Sequence, residues 1–396
     1  MKILVVCQHY WPEPFPLADI CETLAQNGHT VHIITDVPNY QLGYIYPEYN
    51  HGKNRIQEKD GVKIIRTFTI GRRNNVLFRL FNYFSFAISS SLHALFTKEK
   101  YDVVFANQSS PVLMALAALA YAKKNRKKTV LYCMDLWPAS LAVGGVKESS
   151  IVYKVFGVIS KFIYKHADRI LMTSKMFRKY LTEENKVDDK KLGYLPQYAQ
   201  IDFSSFKAEP KKTDTIDLMF AGNVGAAQSI PTILNAAKIL EDEPQLRIHI
   251  VGDGSEYENS IALKESLGLD NVIFHGRHPI EEMPKFYSMA DAMLVTLSTD
   301  RFVSLTLPAK VQSYMAAGKP IIASASGEIP SVIEESGCGF SAPAEDAQGL
   351  ANAVRKFLDY EDKAKLSKAA LDYYNANFTK SIFIERLENE LQEHCI

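Results

Sequence analysis

The chain lacks a dinucleotide fingerprint. Its first apolar run, residues 3–7, leads into Gln8-His9-Tyr10-Trp11-Pro12-Glu13-Pro14, with no glycine where G-x-G-x-x-G would place three. That absence disfavours an enzyme built around NAD or FAD. Cysteine is scarce: Cys7, Cys21, Cys133, Cys338 and Cys395 are scattered, odd in number and without metal-type spacing. Such usage points to a reducing compartment and unpaired thiols. No charge sign dominates, because 45 basic residues face 45 acidic ones. Global charge therefore gives no pull toward nucleic acid, and any attraction to a membrane must be local. Long apolar runs are missing too. Residues 3–7 are too few for a secretory signal, and residues 112–122 are too few to span a bilayer. The stretch 77–96 is long enough, but it carries Arg79, Asn82, His93 and four serines, so an amphipathic helix is expected there.

What is present is a soluble composition, 47% apolar and 23% charged, over 396 residues, enough for two cores of similar size. Short β-branched runs alternate with helical stretches. Strands are expected at 2–7, 31–36, 62–68, 102–107, 129–135 and 169–173, and a first helix at 17–27 stops at Gly28. After Leu195-Pro196-Gln197 a polar, lysine-bearing stretch runs to about Asp214. The alternation then restarts, with strands expected at 217–220, 247–251, 272–274, 292–297, 320–323 and 339–341. Apolar strands separated by helices imply parallel sheets covered on both faces. The fold class is α/β, two doubly wound Rossmann-like domains, with ligands expected in a cleft at the carboxyl ends of strands.

Three strand ends in the second half carry glycine. Ala221-Gly222-Asn223-Val224-Gly225 precedes a helix expected near Ser229 or Ile230, Gly252-Asp253-Gly254-Ser255 follows the next strand, and Phe274-His275-Gly276-Arg277 closes a third. Glycine lets backbone approach a phosphate, and amides at a helix start favour an anion; a tight turn alone would also use it. For Asp253 and Ser255 an N-cap role is the alternative. Arg277 has the reach for a base or phosphate. The most informative stretch is Leu305-Thr306-Leu307-Pro308-Ala309-Lys310-Val311-Gln312-Ser313-Tyr314-Met315-Ala316-Ala317-Gly318-Lys319-Pro320. Pro308 suits a helix start, and Gly318 with Pro320 ends it. Lys310 and Ser313 share a face. The positive helix end, the amides of Leu305, Thr306 and Leu307, and Lys310 together suit a diphosphate; a capped helix with a solvated lysine is the alternative.

In order along the chain, Gly222-Asn223-Val224-Gly225, Gly252-Asp253-Gly254, Phe274-His275-Gly276, Ala290-Asp291-Ala292 and Met315-Ala316-Ala317-Gly318-Lys319-Pro320 resemble the retaining glycosyltransferases of family 4, in the subset that makes bacterial surface polysaccharides. The resemblance implies the GT-B fold, with an acceptor-binding domain at 1–200, a nucleotide-sugar-binding domain at 201–378, and a C-terminal helix at 379–396 returning to the first domain. Two family glutamates, eight positions apart and touching donor sugar and ribose, correspond here to Leu305 and Ser313. Basic residues that follow the first glycine loop are replaced by Ala226, Ala227 and Gln228. Phosphate neutralisation then falls to Lys310, with Arg277 or Arg301 beside it.

In the first half, Glu13 lies in the loop that the resemblance assigns to the acceptor. It stands as a candidate for an acceptor hydroxyl, with a solvated loop carboxylate as the alternative. Asp135, in Met134-Asp135-Leu136-Trp137-Pro138 at a strand end, is the candidate carboxylate for donor sugar or acceptor, with an N-cap or turn role as its alternative. Arg72, Arg73, the helix from Leu77 and the basic residues Lys123, Lys124, Arg126, Lys127 and Lys128 suit an anionic membrane; an ordinary domain helix is the other reading.

The expected activity is a hexosyl- or N-acetylhexosaminyl-transfer. It would run from a nucleoside-diphosphate sugar, a UDP-sugar for preference, to a glycan or polyprenyl-diphosphate-linked acceptor. Catalytic candidates are Asp135, Lys310 and Glu13. Donor-binding candidates are Gly222, Asn223, Gly225, Gly252, Asp253, Arg277, Leu305, Thr306, Leu307, Lys310 and Ser313. No D-x-D triplet stands in the second half, so no cofactor and no metal are expected. The expected location is cytoplasmic, on or near the inner face of the plasma membrane, without a nucleic-acid partner. The alternative is a catalytically silent nucleotide-sugar binder or scaffold of the same fold.

Overall fold

The computed structural model describes residues 1–73, 75–201, 203 and 214–395. They form two units, one of Met1–Leu195 with Phe383–Ile396 and one of Pro196–Ile382. The polar stretch 204–213 lies outside the described residues.

In the first unit the strands are β1 (Lys2–Val6), β2 (Thr30–Thr35), β3 (Ile56–Lys59), β4 (Val62–Arg66), β5 (Val103–Gln108), β6 (Thr129–Cys133), β7 (Arg169–Met172) and β8 (Leu192–Tyr194). They make one sheet in the order β3-β4-β2-β1-β5-β6-β7-β8, parallel except for the β3–β4 pair. All residues of β5 and β6 are buried, as a parallel strand covered on both faces requires. Two strands escape the sequence reading. β3 is an edge strand with the polar composition Ile-Gln-Glu-Lys. β8 is three residues long with Gly193 at its centre, where a Cβ would come within 2.7 Å of Arg169 Nη2.

The last helix, Lys380–Glu393, belongs to this unit from Phe383 onward. The Phe383 ring meets Tyr132 at 5.5 Å, and Arg169 grips Glu390 through Nε at 2.8 Å and Nη2 at 2.6 Å. A two-pronged guanidinium–carboxylate pair fixes orientation as well as distance. The first unit thus ends at Leu195 and resumes at Phe383, where the sequence reading places those borders at 200 and 379.

In the second unit β9 (Ile216–Ala221), β10 (Leu246–Val251), β11 (Val272–Gly276), β12 (Ala292–Thr296), β13 (Ile321–Ser324) and β14 (Gly339–Ala342) form a parallel sheet ordered β11-β10-β9-β12-β13-β14. Alternate residues of β9 feed opposite faces. Leu218 and Phe220 pack with Ile233, Leu234, Val354 and Phe357, whereas Met219 and Ala221 pack with Val311, Tyr314 and Met315. Chain order reverses at β9/β12 here and at β1/β5 in the first unit. Beyond the carboxyl ends of strands at such a reversal, helices diverge and leave a crevice.

Candidate functional site

The crevice end of the second unit is built from interlocked glycine turns. Gly222 has φ +147° and Gly252 φ +139°, and a Cβ on Gly252 would come within 1.8 Å of the Gly222 carbonyl oxygen. Only glycine lets these two turns touch. The Gly222 amide donates to Val251 O at 2.9 Å, Val224 to Asp253 O at 2.9 Å, and Gly252 to Gly276 O at 2.8 Å. These three amides stitch the turns together and are not offered to an anion. Those of Asn223 and Gly225 donate to no backbone carbonyl among the described residues.

Lys310 lies at the centre of this arrangement. It sits in the first turn of the helix Ala309–Ala316, whose N-cap is Pro308. A Cβ on Gly222 would stand 2.9 Å from Lys310 Nζ, so the ammonium rests directly on the first glycine turn. Nζ donates to Gln228 Oε1 at 2.6 Å and lies 3.9 Å from the centre of the Phe220 ring. The residue as a whole keeps partial exposure, but its ammonium is enclosed, and burial pulls its pKa down to about 7. Lys310 is thus a partly buried lysine held by Gln228 and Phe220, not one extended into solvent.

The adjoining amides are less open than the sequence implies. Residues Val303–Leu305 form a 3₁₀ turn, in which the Leu305 amide donates to Phe302 O at 3.2 Å and that of Thr306 to Val303 O at 3.1 Å. Of the three amides expected to be open, only that of Leu307 donates to no backbone carbonyl among the described residues. Its side chain is buried in the core beside Val311. Ser313 Oγ donates back to Ala309 O at 3.1 Å, which leaves its lone pairs but not its proton for a ligand.

A cavity of about 470 Å³ is lined by Gly222, Asn223, Gly252, Asp253, Arg277 and His278. Asp253 is exposed and turns its Oδ1 onto the Gly254 amide. The following helix, Tyr257–Leu267, is capped by neither Asp253 nor Ser255, so the capping alternative fails for both. Arg277 is exposed at the rim. Arg301 stacks on Phe302 at 4.3 Å.

In the first unit Asp135 follows β6. Its Oδ2 accepts from Ser110 Oγ at 2.9 Å, and Trp137 Nε1 donates to the same hydroxyl at 3.1 Å. Burial raises the pKa of its carboxyl, an effect opposed by the Ser110 bonds. Its side chain caps no helix: Pro138 precedes the helix Ala139–Val143.

Glu13 is not the solvated loop carboxylate considered from sequence. It is 2% exposed, and its Oε1 accepts from the amides of Tyr40 and Gln41. Its other oxygen, Oε2, is buried without a hydrogen-bond partner. An inward-facing carboxyl held this way fits poorly with a base for an acceptor hydroxyl. Beside it stand His9 and Asp36, both missed by sequence reasoning. Residues 9, 13 and 36 show no motif spacing, and the parallel β1–β2 pairing, Val6 opposite Ile34, brings their strand ends together.

The amphipathic helix is Val76–Phe96. Phe86 turns inward, while Leu77, Phe81, Phe84, Ile88, Leu92 and Phe96 remain exposed along one stripe. The neighbouring helix Ile151–His166 exposes Ile151, Val155, Val158 and Phe162. An apolar groove of about 560 Å³ between them is lined by Phe84, Ile88, Leu92, Leu116, Val158 and Phe162. Lys124 donates to Leu95 O, which sets the basic cluster at one end of the stripe, and Arg73 stacks on Phe78 at the other. No helix among the described residues is long and apolar enough to cross a membrane.

Residues 17–197 match the family described as Glycosyltransferase Family 4, and residues 202–372 match Glycosyl transferases group 1. The chain is 27% identical over 338 residues to the probable glycosyltransferase WbjE of Pseudomonas aeruginosa, covering 81% of each. It is 23% identical to the putative colanic acid biosynthesis glycosyl transferase WcaI of Escherichia coli, covering 99% of this chain and 100% of that one. Among solved structures, Anabaena HepE in complex with UDP-glucose superposes with a TM-score of 0.71 at 15% identity, over 99% of this chain and 100% of that one. The chain belongs to glycosyltransferase family 4, and its two Rossmann-like units are those of the GT-B fold.

Proposed function

We propose that this glycosyltransferase moves a hexosyl or N-acetylhexosaminyl group from a nucleoside-diphosphate sugar to a glycan or polyprenyl-diphosphate-linked acceptor in bacterial surface polysaccharide synthesis, with retention at the anomeric carbon. The observation that carries this reading is the enclosed ammonium of Lys310 against the Gly222 turn. There it meets the diphosphate together with the amides of Asn223, Gly225 and Leu307. A preorganised cation held against the glycine turn stabilises the charge that develops on a leaving nucleoside diphosphate, without a metal at that phosphate. Arg277, Gly252 and Asp253 border the cavity that takes the nucleoside end, and Ser313 offers its lone pairs to the ribose. UDP is favoured because a protein of the same fold holds UDP-glucose. Asp135 is the carboxylate assigned to the sugar or acceptor. The relatives WbjE and WcaI support the polysaccharide assignment.

The exposed stripes of Val76–Phe96 and Ile151–His166, flanked by Arg72, Arg73 and the cluster at 123–128, dock the enzyme on an anionic cytoplasmic membrane surface. A second reading, a catalytically silent binder, is favoured by Leu305 and Ser313 standing where the resemblance implies two glutamates. A thermal-shift screen of the full chain over nucleotide sugars tests the shared part of both readings, since a bound ligand raises apparent stability. Turnover with acceptor separates them.

A further inference from the structure

His9, Glu13 and Asp36 approach one another in the first unit, from the end of β1, the loop after it and the end of β2. They are 4%, 2% and 1% exposed, and each offers one ligand atom within 4.8 Å of the other two. His9 Nδ1 lies 3.2 Å from Asp36 Oδ2 without making a hydrogen bond of good geometry, and Glu13 Oε2 has no hydrogen-bond partner among the described residues. Burying two carboxylates and an imidazole with unmet polar atoms is costly unless something else neutralises them. The nearby guanidinium of Arg66 does not do so directly. It donates to the carbonyls of Asp36 and Trp11 and to Gln57 Oε1.

We propose that His9, Glu13 and Asp36 hold one divalent transition-metal ion of the zinc class. Two ligand atoms of a tetrahedral ion with bonds of about 2.0 Å lie about 3.3 Å apart, which matches the His9–Asp36 separation. An imidazole nitrogen among the ligands selects against Mg²⁺ and Ca²⁺, which take oxygen. The outer contacts are those a metal site uses to aim its ligands. Asn39 Nδ2 donates to Asp36 Oδ2 at 2.9 Å, and the Tyr40 and Gln41 amides hold Glu13 Oε1, leaving Oε2 for the ion. The ion pins the loop after β1 to the segment after β2, where the rings of His9, Phe15 and Tyr40 already pack together. Three protein ligands leave a fourth position for water. The expectation that the chain needs no metal is kept for the donor phosphate and revised for this unit.

The test uses the full untagged chain, stripped with dipicolinate and titrated with Zn²⁺ against a chromogenic chelator. One equivalent should bind and raise the melting midpoint, while Mg²⁺ does neither. His9→Ala and Glu13→Gln should each weaken that binding at least about 100-fold, from the loss of one ligand bond. Glu13→Gln keeps an acceptor for the Tyr40 and Gln41 amides, and an unchanged circular-dichroism spectrum with a cooperative melt shows that it is folded. His394→Ala, in the separate grouping Glu390, Glu393 and His394, should bind Zn²⁺ as the parent does. Less than a tenth of an equivalent in the parent, unchanged binding in Glu13→Gln, or loss in His394→Ala overturns the proposal. The zinc stoichiometry, the variant affinities and the His394→Ala control are read without any nucleotide sugar, so failure of the donor-site reading leaves them intact.

Discussion

Lys310 donates from the first turn of its helix to Gln228 Oε1, 2.6 Å away in the turn that precedes another. The pair joins the two segments that the resemblance implies should carry basic residue and carboxylates, but with the charge on the opposite partner. An amide is a weak match for an ammonium, so Lys310 is held in place without being neutralised. In the proposed complex, the donor diphosphate is the counter-charge.

Lys310→Ala should therefore lower kcat/KM for a UDP-sugar on the order of 100-fold, the scale of one preorganised electrostatic contact. Gln228→Ala, which frees the lysine but keeps its charge, should cost about tenfold or less. Steady-state kinetics of both variants check this. A Lys310→Ala enzyme within about threefold of the parent would move the role to Arg277, Arg301 or the amides.

Donor binding should depend on pH through the same group. The free protein holds Lys310 at a pKa of about 7, lowered by burial, and a bound diphosphate raises it. Binding then takes up a proton above that pH. Affinity for a UDP-sugar, whose diphosphate diester does not titrate in this range, should be level below about pH 7 and fall by up to about tenfold per unit above it. Calorimetry in buffers of different ionisation enthalpy reads the proton directly. The unliganded protein shows the complementary sign. Its unfolded chain binds the proton that the folded lysine has lost, so stability from this group rises between about pH 7 and the ordinary lysine pKa. The slope is at most about 1.4 kcal/mol per unit, and Lys310→Met should abolish it.

Affinity for the nucleotide sugar should be the same with and without excess EDTA, because the phosphate contacts proposed here are an ammonium and backbone amides. Titration calorimetry compares the two conditions. Affinity that falls in EDTA and returns with Mg²⁺ or Mn²⁺ would contradict the donor site as described.

Most of the fold was legible because buried parallel strands such as β5 and β6 are apolar throughout and are separated by helices. β3 was hidden by its edge position, since a strand that faces water need not be apolar. The glycine turns were legible as turns, but their amides were not. Whether Gly222 or Asn223 offers its N–H to a ligand depends on which strand lies alongside, and that is set by tertiary structure. The open amides of Leu305 and Thr306 were misread because nothing in the local sequence announces the 3₁₀ turn that uses them. Glu13 looked solvated because a loop glutamate usually is. Its partners at 40 and 41 arrive from the far side of β2.

Liposome co-sedimentation tests the membrane face. The full chain should bind vesicles containing phosphatidylserine or phosphatidylglycerol at low salt and leave them at high salt, each basic side chain contributing about 1 kcal/mol. Ile88→Asp with Val158→Asp, two exposed positions lining the apolar groove, should reduce binding at least about tenfold while leaving nucleotide affinity unchanged. Binding that survives these changes would return both helices to an ordinary solvent-facing role.

The most direct measurement of the central claim is turnover by the full chain, given a panel of UDP-sugars with polyprenyl-diphosphate-linked mono- and disaccharides. Nucleoside diphosphate release and the anomeric coupling constant of the product are read by NMR. The expected product is a new glycosidic bond that keeps the donor's anomeric configuration, with one UDP released per bond. A protein that is stabilised by a UDP-sugar yet releases no UDP with any acceptor would be a binder. A product of inverted configuration would contradict the mechanism assigned to the enzyme.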